Sequence, residues 1–192
     1  MTAPETKTTL WGSGWYRFAR HLQSPNHGDR PQGAIVDLIV IHSISLPPGC
    51  YSGDNVQRLF LNALDWTEHP YFQSIDGLEV SAHFYIRRNG DVWQFVSIAD
   101  RAWHAGKSSY RGRVNCNDDS VGIELEGTEG TCFADPQYES LASLCAALCD
   151  ILPIRHIAGH EHIAPLRKGD PGSGFDWGQL KCALSLPNQY FP

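Results

Sequence analysis

The stretch GHEHIAPLRKGDPG, Gly159 to Gly172, gathers two histidines, a glutamate, a lysine, an arginine and an aspartate between turn residues. His160 and His162 are two apart, so on a strand both would point to one face, whereas on the irregular chain suggested by Pro165 and Gly169 only one need face a site. Spacing does not choose between them. Asp170 precedes Pro171, which biases it toward an extended conformation and offers a carboxylate on a rigid turn as a third ligand. His42 ends a run of apolar residues, where a buried strand gives way to the loop SISLPPG, and sheet edges of this kind are where sites are built.

Imidazole, imidazole and carboxylate form an N,N,O set suited to Zn²⁺, and three protein ligands leave a fourth position open for a water acidified to a pKa of about 7. Glu124, in the alternating run DSVGIELEG, is the better placed of two carboxylates to serve as general base. Lys168 is positioned to donate to a developing oxyanion. The bland alternatives are a solvated loop for 159–172 and a solvated sheet face for Glu124 and Glu126. There is no G-x-S-x-G, no cysteine in a nucleophile context and no phosphate-cradling glycine loop.

The elements that would position these groups follow from periodicity. AIVDLIVIH (34–42) reads as a strand buried on both faces. GDNVQRLFLNAL opens a short helix with Asp54 and Gln57 in a reciprocal capping pattern. SAHFYIRRNGDVWQFVS reads as two strands joined by a tight turn at Asn89-Gly90. In DSVGIELEG, Val121, Ile123 and Leu125 make one face and Gly122, Glu124 and Glu126 the other. DPQYESLASLCAALCDIL predicts a long amphipathic helix with Asp135 as N-cap and Pro136 at the first helical position, and DWGQLKCAL a second, capped by Asp176 and Gln179. HIAGH reads as a short strand. Interspersed strands and helices predict one α/β (α+β) domain, a mixed central sheet flanked by helices.

The 192 residues suffice for one core, and 42% apolar with 19% charged residues is ordinary for a folded soluble domain. A net charge of −6 gives no support to nucleic-acid binding. No stretch approaches a membrane span, and MTAPETKTTLWGSGWYRF has no apolar run of signal-peptide length, so a cytoplasmic protein with six free thiols is expected. Cys145 and Cys149 would share a helix face with Leu141, Leu148 and Leu152 and read as packing.

The ordered motifs IVIHSISLPPG, HPYF, VSAHFYIRRNGDVWQFV, RAWHAGKSSYRGR, CNDDSVGIELEGT and GHEHIAPLRKGDPGSGFDW together resemble the zinc-dependent N-acetylmuramoyl-L-alanine amidases, from about Trp15 to Leu184. The resemblance implies a type-2 amidase fold, like that of peptidoglycan recognition proteins. It places a loose segment at 1–14, the amidase domain at 15–184 and a tail at 185–192. It implies one catalytic Zn²⁺ on His42, His160 and Asp170, with Glu124 as general base and Lys168 stabilising the tetrahedral intermediate. The implied substrate is an anhydromuropeptide, cut between the lactyl group and L-alanine by a cytoplasmic monomer without nucleic-acid or membrane partners. Such a reaction belongs to peptidoglycan recycling and the control of β-lactamase induction. Trp103, His104, Ala105 and Gly106 are expected to wall the sugar pocket. Rival expectations are a lytic amidase on intact peptidoglycan and a non-catalytic binding module. Family members tend to carry bases directly before V-S-A-H and C-N-D, where this chain has Glu79 and Asn115, which implies a different tolerance for the stem peptide.

Overall fold

A computed structural model describes residues 10–192. In chain order its elements are β1 (Trp11–Gly12), β2 (Trp15–Tyr16), β3 (Arg20–His21), β4 (His27–Gly28), β5 (Leu38–Ile44), α1 (Asn55–Phe60) and α2 (Pro70–Gln73). Then come β6 (Phe84–Ile86), β7 (Val92–Gln94), β8 (Arg101–Ala102), β9 (Ser109–Tyr110), β10 (Arg113–Val114), β11 (Ser120–Glu126) and α3 (Asp135–Ile151). The chain ends with β12 (His156–Gly159), α4 (His160–Ile163) and α5 (Trp177–Leu184).

The central sheet runs β12-β5-β11-β6-β7-β3. Strands β12, β5, β11 and β6 are mutually parallel, and β7 returns antiparallel to β6. This is the mixed sheet that the sequence predicts. Parallel strands need both faces covered, and alternation sends the two sets of side chains of β5 and β11 to different cores. Ile39, Ile41, Val121, Ile123 and Leu125 join Leu141, Leu144, Cys145 and Leu148 of α3 and Leu180 of α5 in one large cluster. On the opposite face the packing is split. Leu38, Val40 and Ala158 meet Ala105, Cys116 and Ile163, while Tyr85 and Phe95 meet Val56, Leu59 and Phe60 of α1 and Phe72 of α2. The chemistry of the molecule sits between these two smaller clusters.

Several local expectations shift. The strand expected at 34–42 runs from Leu38 to Ile44, because Asp37 is engaged by the Arg113 guanidinium and its carbonyl accepts from the Arg155 and His156 amides. Asp54 precedes α1 but makes no side-chain cap bond, and Gln57 turns into the core. Between β6 and β7 only Gly90 takes a left-handed φ (+87°), so the loop spans residues 87–91 and is not a two-residue turn. A side chain at Gly90 would also stand 2.9 Å from the Pro136 carbonyl. Helix α3 starts one residue early: Ala134 is its N-cap, Asp135 its first residue, and the Gln137 side chain accepts from the Ala134 amide at 3.0 Å. Asp176 caps α5 as expected, accepting from the Gln179 amide at 2.9 Å.

Of the segment 1–14 expected to be loose, residues 1–9 lie outside the described residues, while Trp11–Gly12 pairs with Trp15–Tyr16 and the Trp11 ring packs edge-on to Phe84. In the tail, Phe191 is buried in the larger cluster. The six cysteines are free thiols, with Cys145 in the core. No helix among the described residues is long and apolar enough to cross a membrane.

Candidate active site

Strand parity and register build the floor of the site. His42 of β5 lies directly across from Glu124 of β11, so both side chains leave the same face near the C-terminal ends of parallel strands. β12 delivers Gly159 beside Ile41, and the chain turns at once into α4, a single helical turn. On that turn His160 and His162 are about 200° apart and cannot share a face. His160 enters the site. His162 turns away, accepts the Gly159 amide proton at 2.9 Å and packs edge-on to Trp177. Asp170 returns through a loop whose backbone bonds Glu161 N–H to Asp170 C=O at 2.8 Å.

His42 Nδ1, His160 Nδ1 and Asp170 Oδ2 converge: the two nitrogens are 2.9 Å apart, and each is 3.2 Å from the carboxylate oxygen. Ligands about 2.1 Å from one ion at tetrahedral angles stand roughly 3.4 Å apart, so this buried triangle matches a three-ligand Zn²⁺ site to within about half an ångström. The outer nitrogens fit the same reading. His160 Nε2–H donates to the Ala105 carbonyl at 3.2 Å, and His42 Nε2 contacts His104 Nδ1 at 2.9 Å, which leaves the Nδ1 lone pairs facing inward. Burial pushes the His42 pKa down to about 4, keeping the imidazole neutral as metal ligation requires. The Asp170 carboxyl sits far below the usual range: burial opposes its ionisation, but the adjoining imidazoles of His160 and His42 outweigh that cost.

Glu124 Oε2 is buried without a hydrogen-bond partner, an expensive arrangement unless a proton or cation faces it. Burial, then the charge of Asp170, raise the Glu124 pKa well above the carboxylate norm, and Lys168 opposes them. Glu126 shares the strand face but not the role. Its Oε1 accepts from Ser52 N–H at 2.8 Å and its Oε2 from Arg88 N–H at 2.9 Å, which ties two loops to the sheet. Lys168 is exposed at the rim, and the cavity above the triangle has a volume of about 450 Å³. Its lining combines the polar Glu124, Glu129, Lys168 and Thr128 with the apolar or aromatic Leu46, Phe60, Tyr71, Ile75, Val80 and Trp103.

Of the four residues expected to wall a sugar pocket, Trp103 does line the cavity. Its buried indole Nε1–H lacks a partner. His104 borders the cavity, but both its ring nitrogens are engaged beneath the floor, with His42 and with Ser120. Ala105 is fully buried, and its carbonyl serves His160. Gly106 lies off the cavity, against the Arg167 guanidinium. The segment is held by its backbone: Asn117 Oδ1 accepts from both the His104 and Ala105 amides, at 3.0 and 2.8 Å. Glu79 is exposed, and Asn115 caps a turn by donating to Asp118 at 2.9 Å, away from the cavity.

Sequence reasoning also missed Arg30 and Arg167. Arg30 spans the carbonyls of Asn117, Asp118 and Ser120 with bonds of 3.0–3.2 Å, and burial lowers its pKa to about 10 against the pull of Asp100, Asp119 and Asp118. Arg167 donates to the Ala105 and Lys107 carbonyls at 2.8 Å. Arg30 sits in no motif with a chemical signature, and Arg167, although part of GHEHIAPLRKGDPG, carries no local signal of the carbonyls it bonds.

The family model of N-acetylmuramoyl-L-alanine amidases matches residues 32–173. The 1,6-anhydro-N-acetylmuramyl-L-alanine amidase AmpD of Citrobacter freundii is 46% identical over 183 residues, 94% of this chain and 97% of that protein. A crystal structure of a selenomethionine AmpD derivative superposes with a TM-score of 0.89 at 46% identity, covering 91% of this chain and 99% of that one. The AmiD amidase of E. coli, solved with the substrate anhydro-N-acetylmuramic acid-L-Ala-D-γ-Glu-L-Lys, gives a TM-score of 0.56 at 28% identity, over 80% of this chain and 60% of that one.

Proposed function

We propose, from the premise that this chain belongs to the N-acetylmuramoyl-L-alanine amidase family, that it hydrolyses the amide between the lactyl group of 1,6-anhydro-N-acetylmuramic acid and L-alanine in muropeptides. The observation that carries the reading is the convergence of His42, His160 and Asp170 beside the unpartnered Glu124 carboxylate. In this reading the three residues hold one Zn²⁺, which when bound supplies Lewis acidity toward the scissile carbonyl and an acidified water.

The remaining chemistry belongs to the chain. Glu124 takes the proton of the attacking water and returns it to the leaving nitrogen of L-alanine. A carboxylate whose pKa is raised by burial is both the stronger base and, once protonated, a competent acid near neutrality. The Lys168 ammonium, at the cavity rim, stabilises negative charge developing on the carbonyl oxygen. Trp103 and the apolar wall take the less polar face of the sugar, with the indole N–H free to donate. Every donor comes from a single chain, and the acting unit is the monomer. The reaction serves cytoplasmic recycling of peptidoglycan fragments and, through it, the control of β-lactamase induction.

Incubation with anhydromuropeptide and, separately, with whole sacculi, each with and without chelator, tests this reading. Free peptide released from the anhydromuropeptide, lost on chelation and regained with zinc, is expected. Chelator-resistant release would overturn the metal reading, and activity confined to sacculi would overturn the recycling role.

A further inference from the structure

We infer that His104 is a positioning residue, which fixes His42 in the tautomer whose Nδ1 lone pair faces the metal. The inference rests on the zinc reading above. Its support is a hydrogen-bond chain with one possible direction. Ser120 Oγ–H donates to the Cys116 carbonyl, which can only accept. With its proton committed, Ser120 Oγ must accept from His104 Nε2–H at 3.1 Å. His104 Nδ1 is then bare, and accepts from His42 Nε2–H at 2.9 Å. His42 Nδ1 is left as a lone pair pointing into the triangle with His160 and Asp170.

The chain is buried throughout: Ser120 is 0%, His42 1% and His104 8% exposed. The backbone of the same residue pair serves the second histidine, since the Ala105 carbonyl accepts from His160 Nε2–H and Asn117 Oδ1 anchors both the His104 and Ala105 amides. Residues 104 and 105 therefore set both imidazoles. Gly122 makes room for this arrangement, because a Cβ there would stand 2.4 Å from His104 Cγ.

His104→Asn keeps an acceptor where Nδ1 lies; His104→Leu keeps bulk without one. Zinc affinity by chelator competition, alongside urea unfolding of the metal-free proteins, separates positioning from packing. His104→Leu is expected to bind zinc 10–100-fold more weakly, a loss typical of outer-layer partners of a metal-ligating histidine, and His104→Asn to stay within a few-fold of the parent. In the zinc-loaded parent, ¹⁵N NMR should show His42 protonated at Nε2. Equal zinc affinity in parent and His104→Leu, or equal weakening in both variants, would overturn the inference. Should His104→Leu fail to fold, Ser120→Ala replaces it: loss of the His42 Nε2–H resonance with weakened zinc binding supports the chain, and an unchanged resonance and affinity overturn it. A parent protein that binds no zinc would instead overturn the zinc reading itself.

Discussion

The two faces of the central sheet are built from the same strands and alternate residues, yet do opposite work. Toward α3 and α5, β5 and β11 present Ile39, Ile41, Val121, Ile123 and Leu125, all fully buried in one continuous apolar cluster. Toward the cavity the same strands present His42, Gly122 and Glu124, and apolar packing breaks into two patches on either side. One face carries stability of about 1.5–3 kcal/mol per buried aliphatic side chain. The other holds three imidazoles kept neutral by burial and the Glu124 carboxyl, raised in pKa with one oxygen unpartnered, a cost that ligation or catalysis offsets. The sheet is rigid because of the first face, and that rigidity lets the second remain polar and unpaired.

The strongest way to break this comparison is to delete a ligand. His42→Ala, His160→Ala and Asp170→Ala should each lose zinc and turnover together, with near-native unfolding midpoints for the metal-free proteins. Zinc stoichiometry by atomic emission checks this, and retention of metal in any of the three would remove that residue from the set. A neighbouring pair on β11 then divides the faces residue by residue. Glu124→Gln should lower kcat by about 10²–10⁴ with no loss of metal-free stability, because a neutral amide replaces a desolvated carboxyl. Ile123→Ala, one position away, should cost about 2–5 kcal/mol in urea unfolding while zinc affinity persists. Equal stability losses in both would show that the faces are not separate in function.

How much of this was legible beforehand depended on parity. Alternation in SVGIELE named the face of Glu124, and the buried apolar run named the strand of His42. Alternation also put Glu126 on that face, and no local signal says that amides from Ser52 and Arg88, far away in sequence, consume its carboxylate. The role of His104 was equally hidden, since it depends on Ser120, Asn117 and the bare Cα of Gly122. Sequence order carried the motifs; tertiary adjacency decided which polar groups were already taken.

A smaller effect, graded by pH, comes from the imidazoles of the polar face. Burial lowers the pKa of His42 to about 4 and, with Arg30, that of His83 to about 3, and it holds His104 well below its ordinary value. In the unfolded chain each titrates near 6.5, so below that pH the unfolded state binds more protons and stability falls as pH falls. Each group contributes at most about 1.4 kcal/mol per pH unit between 6.5 and its folded value. Glu124 acts in the opposite sense, since its raised pKa makes the folded state the better proton acceptor above the unfolded carboxylate value. Urea unfolding of the metal-free protein at pH 7, 6 and 5 should show a net decline, and a flat profile would mean that these imidazoles are not held neutral.

The smallest effect tests the ambiguity of the two histidines in GHEHIAPLRKGDPG. A strand through this stretch would make His160 and His162 equivalent, whereas the turn of α4 sends His162 to the back, between the Gly159 amide and the Trp177 ring. Its Nδ1 accepts one of the unsatisfied N–H groups at the start of that turn, the role of a cap, and removing such a bond costs about 1 kcal/mol. His162→Ala should therefore lower the unfolding free energy by about that amount and leave zinc affinity and kcat at parental levels. Loss of metal from His162→Ala with retention in His160→Ala would mean that the chain at this point is extended, and that the wrong histidine has been assigned to the polar face.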